Sequence, residues 1–386
     1  MPNSRTSPLL IVLQTALAVV ITLAAVDAQE ASRSARAGAA PSQNGSGQAK
    51  FKAIFEPVNY PEDAELRDVF FVSRDVGWVV GLAASDSGEG GLILHTTDGG
   101  EHWNVQLGGP HTATRSFQQV WFLDATHGWA TEWGPGGLLR TTDGETWESV
   151  RPNFPAFADF VFTTPQIGFW VDGPNIMRSA DGGHTWKAVF VGREKVTDAN
   201  GLTKDAQFDW NGISCPTASI CYAASGERPD KAVAIAATED GGLTWSISQH
   251  VPEAACAQWC MFFLDPKTGF MRDYAGLRAT VDGGANWRKI PGTFPASKTI
   301  RIRFADRQVG WIAQGSTIAY TSDAGKNWNS AKVRLPSEIF AGSLVTPDRG
   351  YLVGRHGMIY RYRIVPVDYS SKGMIAAPVI AGPAAK

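Results

Sequence analysis

One short motif recurs along this chain and constrains its fold more than any other feature. The motif reads Ser/Thr-x-Asp-x-Gly-x-x-Trp, and the second of its six copies is one residue short. The motif aspartates are Asp98, Asp143, Asp181, Asp240, Asp282 and Asp323. Their successive spacings are 45, 38, 59, 42 and 41 residues, close to the length of one four-stranded propeller blade. The longest spacing predicts an insertion.

A second landmark, usually a glycine followed by an aromatic residue, precedes each motif and also occurs once after the last. It stands at Gly77-Trp78, Gly128-Trp129, Gly168-Phe169, Cys221-Tyr222, Gly269-Phe270, Gly310-Trp311 and Gly350-Tyr351. The seventh unit lacks a motif and a fourth strand, whereas Phe51–Glu56 resembles the strand that follows each tryptophan. We therefore predict an all-β fold: a single seven-bladed β-propeller of four-stranded blades, in which the N-terminal strand closes the last blade.

The six motif aspartates are interpreted as structural. A carboxylate in a tight turn accepts hydrogen bonds from backbone N–H groups, and the adjacent glycines adopt positive φ. The tryptophan buries its ring between strands. Hairpin geometry therefore accounts for these residues without a catalytic role.

The repeat resembles the bacterial neuraminidase repeat, also called the BNR repeat or Asp box. The resemblance rests on Gly77–Gly81 with Leu94–Gly100, and on Leu138–Gly144, and it covers roughly Phe51 to Ile364. The chain resembles in particular the photosystem II assembly and stability factors, a family of seven-bladed propellers. The resemblance implies an exported, non-catalytic protein that binds a protein partner in an assembly process, and it leaves a link to photosynthesis open.

The two ends of the chain are predicted to lie outside the propeller. Residues 1–28 have the apolar run and the small-residue cleavage site of a secretory signal peptide, although an uncleaved membrane tether is the alternative. Residues 29–50 are predicted to be a disordered linker, residues 51–364 the propeller and residues 365–386 a flexible tail. We therefore expect a periplasmic or secreted protein.

Four cysteines in an exported chain predict disulfides. Cys215 and Cys221 flank a predicted turn in blade four, where facing strands bring Cα atoms to bridging distance. Cys256 and Cys260 pair only if the chain bends between them, because extended residues four apart are too distant. Zinc is the alternative, but neither the cysteine spacing nor the scattered histidines form a metal template, so we predict no metal and no cofactor.

Charge and motifs limit the classes of function. With 35 basic and 37 acidic side chains, the chain lacks the basic character of a non-specific nucleic-acid binder, so we predict no nucleic-acid partner. No serine-hydrolase elbow, phosphate loop or His-Glu-x-x-His motif is present, and the Arg-Ile-Pro signature of a sialidase is missing. The leading hypothesis is a monomeric propeller that binds a protein of the cell envelope.

A glycan-directed hydrolase or lectin is the alternative function. The fifth position of the glycine–aromatic landmark carries a carboxylate in three blades, at Glu132, Asp172 and Asp273. These positions converge on one rim of the channel, where two carboxylates would act as general acid and base. Polar and aromatic neighbours from the adjoining loops complete this candidate rim: Trp133, Tyr274, Arg272, Arg355 and His356.

Repeated arginines are the candidate contacts for a protein partner. Arg301 and Arg303 alternate with apolar residues on the first strand of blade six, so they share one face. Arg140 and Arg178 precede their Asp boxes at matching positions. The polar insertion Val191–Asn211 is long enough to be a functional or mobile loop. A solvated or ion-paired surface is the alternative for each arginine.

Overall fold

The computed structural model describes residues 50–367, except for 59, 61, 86–87, 110–114, 135, 198–200, 227, 229, 274–275 and 296–300. The predicted signal peptide, nearly all of the linker and most of the predicted tail therefore lie outside the described residues. Tyr274 also lies outside them. Phe51–Val367 forms one compact unit.

Seven antiparallel sheets of four strands form the blades in the described residues; in six of them the strands pair in sequence order, and in the seventh the N-terminal strand pairs with the last strand. The strands of the first three blades are β2 (Ala64–Phe71), β3 (Gly77–Ser85), β4 (Gly88–Thr96) and β5 (Asn104–Gly108); β6 (Phe117–Phe122), β7 (Gly128–Glu132), β8 (Gly137–Thr141) and β9 (Glu148–Pro152); and β10 (Phe160–Phe162), β11 (Gly168–Asp172), β12 (Asn175–Ser179) and β13 (Lys187–Val191).

The next three blades repeat this arrangement after an inserted pair of strands. The insertion is β14 (Arg193–Thr197) and β15 (Thr203–Gln207). The strands of blades four to six are β16 (Trp210–Ser214), β17 (Cys221–Ser225), β18 (Ala232–Thr238) and β19 (Ser246–Pro252); β20 (Cys256–Phe263), β21 (Gly269–Asp273), β22 (Gly276–Thr280) and β23 (Arg288–Ile290); and β24 (Ile302–Phe304), β25 (Gly310–Gln314), β26 (Thr317–Thr321) and β27 (Asn329–Lys332).

Blade seven joins the two ends of the propeller, as the sequence predicts. Its strands are β28 (Ile339–Thr346), β29 (Arg349–Gly354) and β30 (Ile359–Val367), and its fourth, outermost strand is β1 (Lys50–Pro57). The Arg363 Nη2 donates to Glu56 Oε1 at 2.5 Å, and the Phe55 and Tyr362 rings lie 5.6 Å apart. The N-terminal strand therefore covers an edge that would otherwise be open.

The first strand of each blade faces the central channel. β2 packs against both β6 and β28, which are the first strands of the two neighbouring blades. The blade-to-blade connections and the turns between second and third strands lie on one face, which we call the mouth face. Residues 153–159 and 133–134 belong to it. The Asp boxes, such as residues 96–103, lie on the opposite face.

The two sequence landmarks interlock from blade to blade. The Trp78 ring of blade one stacks on Phe122 of blade two at 3.6 Å, and its indole N–H donates to the carbonyl of Gly144 in the next Asp box. Trp129 repeats both contacts one blade further, with Phe162 and with the carbonyl of Gly182. In these two blades the aromatic ring of the landmark therefore packs against both the first strand and the Asp-box loop of the next blade.

The glycine of this landmark is required by close packing. A Cβ atom on Gly77 would lie 2.4 Å from the Phe71 ring, and one on Gly128 would lie 2.3 Å from the Phe122 ring. Such distances are well inside van der Waals contact. Any larger side chain would therefore displace the aromatic ring at the end of the first strand.

Each Asp box is held by hydrogen bonds within its own hairpin. In the first copy the Thr96 hydroxyl donates to Asp98 Oδ1 at 2.9 Å, and the backbone N–H of His102 donates to the same oxygen at 3.0 Å. The N–H of Gly100 donates to the Thr96 oxygen at 2.9 Å. The hydrogen bonds to the Asp98 carboxylate hold its pKa at about 2, and the bond from the His102 N–H has the largest effect.

The insertion forms a hairpin that folds back on blade four. Glu194 accepts a 2.7 Å bond from Arg228 Nη1 and lies 2.7 Å from His250 Nε2. Arg228 is buried, and its guanidinium lies 4.6 Å from the centre of the Phe208 ring. Within the described residues the insertion is therefore anchored by a buried cation.

The structure places the cysteines in two close pairs. The Cα atoms of Cys215 and Cys221 are 4.0 Å apart across the turn between β16 and β17. Those of Cys256 and Cys260 are 5.5 Å apart, within one bulge of β20. Among the described residues no helix is long and apolar enough to cross a membrane. No group of three or more His, Cys, Asp or Glu residues in the described part of the chain is arranged to hold a metal ion.

Candidate functional site at the channel mouth

The central channel opens on the mouth face in a cavity of about 240 Å³. Its walls come mainly from the first strands of blades one, two, five, six and seven. The side chains that give it chemical character are Arg67, Gln119, Trp259, Arg301, Arg303 and Phe340. Such a cavity is too small for most drug-sized ligands, but it accommodates one side chain or a chain terminus.

Strand periodicity directs two arginines into this cavity. Ile302 is buried in the core between blades five and six, so Arg301 and Arg303 on either side of it face the channel. Burial, together with the neighbouring positive charge of Arg301, lowers the pKa of Arg303 to about 10. Two guanidinium groups are thereby held close together in a poorly solvated position.

Aromatic rings support the arginines of the mouth. The Arg301 guanidinium lies 4.8 Å from the centre of the Trp259 ring and also donates to Gln119 Oε1. Arg67 and Arg355 both lie over the Phe340 ring, at 5.1 and 5.5 Å. Cation–π contacts of this kind fix the direction of a guanidinium while leaving its N–H groups available to a ligand.

Two buried aspartates balance part of this charge. Asp68 accepts the N–H of Val120 at 3.2 Å, and Asp159 accepts the N–H of Ile213 at 2.9 Å, so each carboxylate links the first strands of adjacent blades. Burial raises the pKa of Asp159 to about 6, although the positive charge of Arg301 opposes that rise. Both aspartates are therefore structural parts of the channel wall.

The mouth as a whole keeps an excess of positive charge. Four guanidinium groups lie at the mouth, on Arg67, Arg301, Arg303 and Arg355. They are opposed by three carboxylates, those of the two channel aspartates and of Glu65. Glu65 pairs with Arg67 and lies 3.7 Å from Arg355. Three polar atoms that line the cavity have no hydrogen-bond partner among the described residues: Arg67 Nε, Arg303 Nη2 and Gln314 Oε1. An anionic group is therefore the ligand that this cavity suits best.

A second, shallower cavity of about 500 Å³ adjoins the mouth. Phe157 lines both cavities, and its ring packs edge-on against Trp133 at 4.8 Å. Trp133 is 48% exposed. The mouth face thus presents a basic centre with an exposed aromatic surface beside it, a combination common at protein-binding sites.

The three predicted rim carboxylates have different surroundings. Asp273 is buried, and its Oδ2 accepts a 2.6 Å bond from Arg278 Nε. Asp172 is exposed and lines the second cavity, whereas Glu132 is half-buried at the end of β7 beside Gly137. Asp273 is therefore a structural residue, because its carboxylate is buried and paired with Arg278.

The predicted arginines divide between the two faces. Arg140 and Arg178 contact the Asp-box loops of the following blades, through Gly182 and through the carbonyl of Gly241. Arg301 and Arg303 lie at the mouth on the opposite face.

The remaining predicted residues lie apart from the cavity centre. Arg355 is at the edge of the mouth, and the neighbouring His356 lies 3.2 Å from Asp63. Arg272 is buried in blade five, and burial lowers its pKa. Arg272 is not among the residues that line the mouth or the second cavity.

Several mouth residues were not predicted from the sequence: Arg67, Asp68, Gln119, Phe157, Asp159, Trp259 and Phe340. One signal was available for some of them, because a polar residue on or next to a first strand indicates a channel position. Asp68 and Gln119 lie on first strands, and Asp159 lies immediately before one.

Comparison with known proteins agrees with this architecture. Residues 48–155 match the sequence model of the family described as "Photosynthesis system II assembly factor YCF48". The chloroplastic photosystem II stability/assembly factor HCF136 of Arabidopsis thaliana is 24% identical over 341 residues, which are 81% of this chain and 79% of that protein.

Solved structures show the same fold. A YCF48 bound to a D1 peptide has a TM-score of 0.54 at 20% identity and covers 81% of this chain and 96% of its own. The YCF48 from Cyanidioschyzon merolae has a TM-score of 0.57 at 19% identity, with coverages of 80% and 98%. The chain is therefore a BNR-type β-propeller that resembles the photosystem II assembly factors.

Proposed function

We propose that this chain is a non-catalytic assembly factor that captures an acidic, extended segment of a protein partner at the channel mouth. The observation that carries the proposal is the juxtaposition of Arg301 and Arg303 with the Trp259 ring in a cavity that retains unpartnered guanidinium nitrogens. Arginine and tryptophan are the residue types that contribute most to protein recognition.

The chemistry of the mouth suits a peptide carboxylate. Guanidinium groups bind carboxylates through parallel N–H bonds, and a poorly solvated cavity strengthens those bonds. The exposed Trp133 surface beside the mouth provides apolar contact for the residues that follow. A D1 peptide bound to a related propeller supports an extended peptide as the ligand here, although photosystem II itself is not required by the chemistry.

We further propose that the protein is exported and that its two cysteine pairs form disulfides. The signal-peptide pattern of residues 1–28 and the closeness of both pairs support this proposal. Intact mass of the protein recovered from its own host is expected to show a chain beginning at Gln29 and no thiol that reacts before reduction. A retained N-terminus or four reactive thiols would contradict it.

The hydrolase alternative loses one of its three carboxylates to a structural role, because Asp273 is paired with Arg278 in the interior. Substitution separates the two functions. Glu132→Gln combined with Asp172→Asn is expected to change peptide binding by no more than a few-fold, although Asp172 lines the second cavity. Release of sugar by the protein, abolished by those substitutions, would instead favour the hydrolase.

The direct test measures binding of a short fluorescein-labelled peptide, rich in Asp and Glu, by fluorescence anisotropy. Replacing Arg301 and Arg355 with Gln is expected to weaken binding about tenfold or more, because the Arg301 guanidinium lines the mouth and the Arg355 guanidinium lies at its edge. Arg288→Gln is the matched control, since Arg288 is exposed on the outer strand of blade five. Equal affinity in the two variants, with unchanged melting temperatures, would contradict the proposal.

A further inference from the structure

We propose that Trp259 is a positioning residue of the channel mouth and that a Cys256–Cys260 disulfide holds it there, so that peptide binding responds to thiol reductants. This inference rests on the proposed peptide-binding function. It concerns the wall of the mouth whose first strand carries the longest bulge among the described strands that line the cavity.

The distortion is a large bulge in the first strand of blade five. Cys256 pairs with Asp273, and the next paired residue on β20 is Met261, opposite Met271. Four residues of β20 therefore stand opposite a single residue of β21. A bulge re-aims side chains and removes ladder hydrogen bonds, so the segment needs other contacts to keep one conformation.

Trp259 occupies an unfavourable backbone conformation within that bulge. Its φ is 58°, in the left-handed region that bulky residues rarely adopt. A residue persists there only where its surroundings hold it. The closest covalent restraint is the bridge between Cys256 and Cys260, which closes a loop containing only Ala257, Gln258 and Trp259.

Neighbouring residues leave room for this bridge and anchor the backbone beside it. Both cysteines are 2% exposed. A Cβ atom on Gly212 would lie 3.0 Å from Cys260 Sγ, so glycine leaves room for the sulfur. Asn211 Nδ2 donates to the carbonyl of Cys256 at 2.7 Å, which anchors the start of the bulge. These contacts hold the ends of the loop, whereas its tip carries Trp259.

Trp259 in turn organises the mouth. Its ring lies 4.8 Å from the Arg301 guanidinium and 6.3 Å from the Phe157 ring, and it lines both the mouth and a smaller cavity of about 110 Å³ behind it. If the loop relaxes, Arg301 loses its aromatic support and the two cavities lose their common wall. The direction of the ligand-binding guanidinium therefore depends on the bulge.

Reduction by a small dithiol such as dithiothreitol proceeds by two thiol–disulfide exchanges. One dithiol sulfur attacks a cysteine Sγ and displaces the other as a thiolate; the second dithiol sulfur then releases the first cysteine. The products are two protein thiols and one oxidised cyclic dithiol, so atoms and electrons balance. Without the bridge, the backbone of Trp259 is free to leave its positive-φ conformation.

Three proteins test the inference with the acidic fluorescein-labelled peptide as probe. These are the wild type, Cys256→Ser with Cys260→Ser, and the control Cys215→Ser with Cys221→Ser, whose pair lies across the turn between β16 and β17 and is not among the residues that line the mouth. Dithiothreitol is expected to weaken wild-type binding about tenfold. The first variant is expected to bind like the reduced wild type whether or not reductant is present. The control is expected to bind tightly without reductant and to lose affinity when it is added.

Trp259→Ala supplies the second half of the test, because it is expected to bind weakly with an intact bridge and to be insensitive to reductant. Hydrogen exchange of residues 256–262 and 301–303 in the reduced wild type provides a readout independent of any variant, and faster exchange there is expected. A wild type that binds equally before and after complete reduction overturns this inference alone. A wild type that never binds the peptide overturns the proposed function, and the inference with it.

Discussion

At the scale of single residues, the aspartates of this chain occupy two opposite environments. An Asp-box carboxylate accepts several hydrogen bonds near the surface, and the Thr244 hydroxyl, with the other bonds of its box, holds the pKa of Asp240 at about 2. Asp159 is buried in the channel wall, and burial raises its pKa to about 6. The same residue type therefore stabilises the fold at neutral pH in one place and costs stability in the other.

The two kinds of aspartate change the stability of the fold in opposite directions as the pH varies. A carboxyl whose pKa is lowered on folding contributes stability above its unfolded pKa of about 4, and that contribution is lost as the pH falls toward 2. A carboxyl whose pKa is raised, such as Asp159, binds its proton more tightly in the folded state. It therefore lowers the free energy of unfolding progressively as the pH rises from about 4 to about 6.

Asp159→Asn is expected to remove this second effect, because the amide does not ionise and its oxygen still accepts the N–H of Ile213. The free energy of unfolding of the variant relative to the wild type is expected to rise by about 3 kcal/mol between pH 4 and pH 7, since a shift of about two pKa units corresponds to that amount. Urea unfolding at several pH values measures the difference. A difference that stays constant across this range would show that Asp159 ionises normally.

At the scale of structural elements, stability depends on contacts between neighbouring blades as well as within each blade. The aromatic residue that follows each glycine packs on the next blade, so a blade is completed only by its neighbour. Trp129 is fully buried, and its ring stacks on Phe162 at a centroid distance of 3.7 Å. Its indole N–H also donates to the carbonyl of Gly182.

Trp129→Leu is expected to lower the free energy of unfolding by about 3 kcal/mol, because it removes a buried ring and leaves a cavity and an unpaired carbonyl. Trp133→Leu is the matched control at the end of the same strand; Trp133 is 48% exposed, and its loss is expected to change stability by less than about 1 kcal/mol. Chemical denaturation of both variants provides the comparison. Equal losses would mean that the stack between blades does not carry the stability assigned to it.

The elements were predictable from the sequence, whereas the channel mouth was only partly so. Six blades carry an Asp box and six carry the glycine–aromatic pair, and these local signals specify hairpins whatever the rest of the chain does. The mouth depends on residues brought together by ring closure: Gln119 and Arg301 are 182 residues apart in the chain and form a hydrogen bond. Trp259 was missed because its position depends on a bulge, which changes strand periodicity locally.

At the scale of the whole molecule, the ring is held closed because its N-terminal strand pairs with its C-terminal strand. β1 comes from the start of the propeller and forms the outer edge of blade seven beside β30. Glu56 accepts from Arg363 at 2.5 Å and from Arg361 at 3.4 Å, and Arg361 also pairs with Glu101 of blade one at 2.5 Å. Closure therefore couples blade seven both to β1 and to the first Asp box.

Two truncations are expected to distinguish this closure from a passive N-terminal extension. Removing residues 1–49 keeps β1 and should leave the melting temperature unchanged, because none of the contacts of the closed blade is lost. Removing residues 1–57 deletes β1, exposes the edge of β30 and leaves Arg361 and Arg363 without Glu56, so the melting temperature should fall and the protein should aggregate through the open edge. Thermal unfolding and light scattering measure the two effects, and the shorter truncation serves as the control. Equal melting temperatures and equal scattering for the two proteins would mean that β1 does not hold the ring closed.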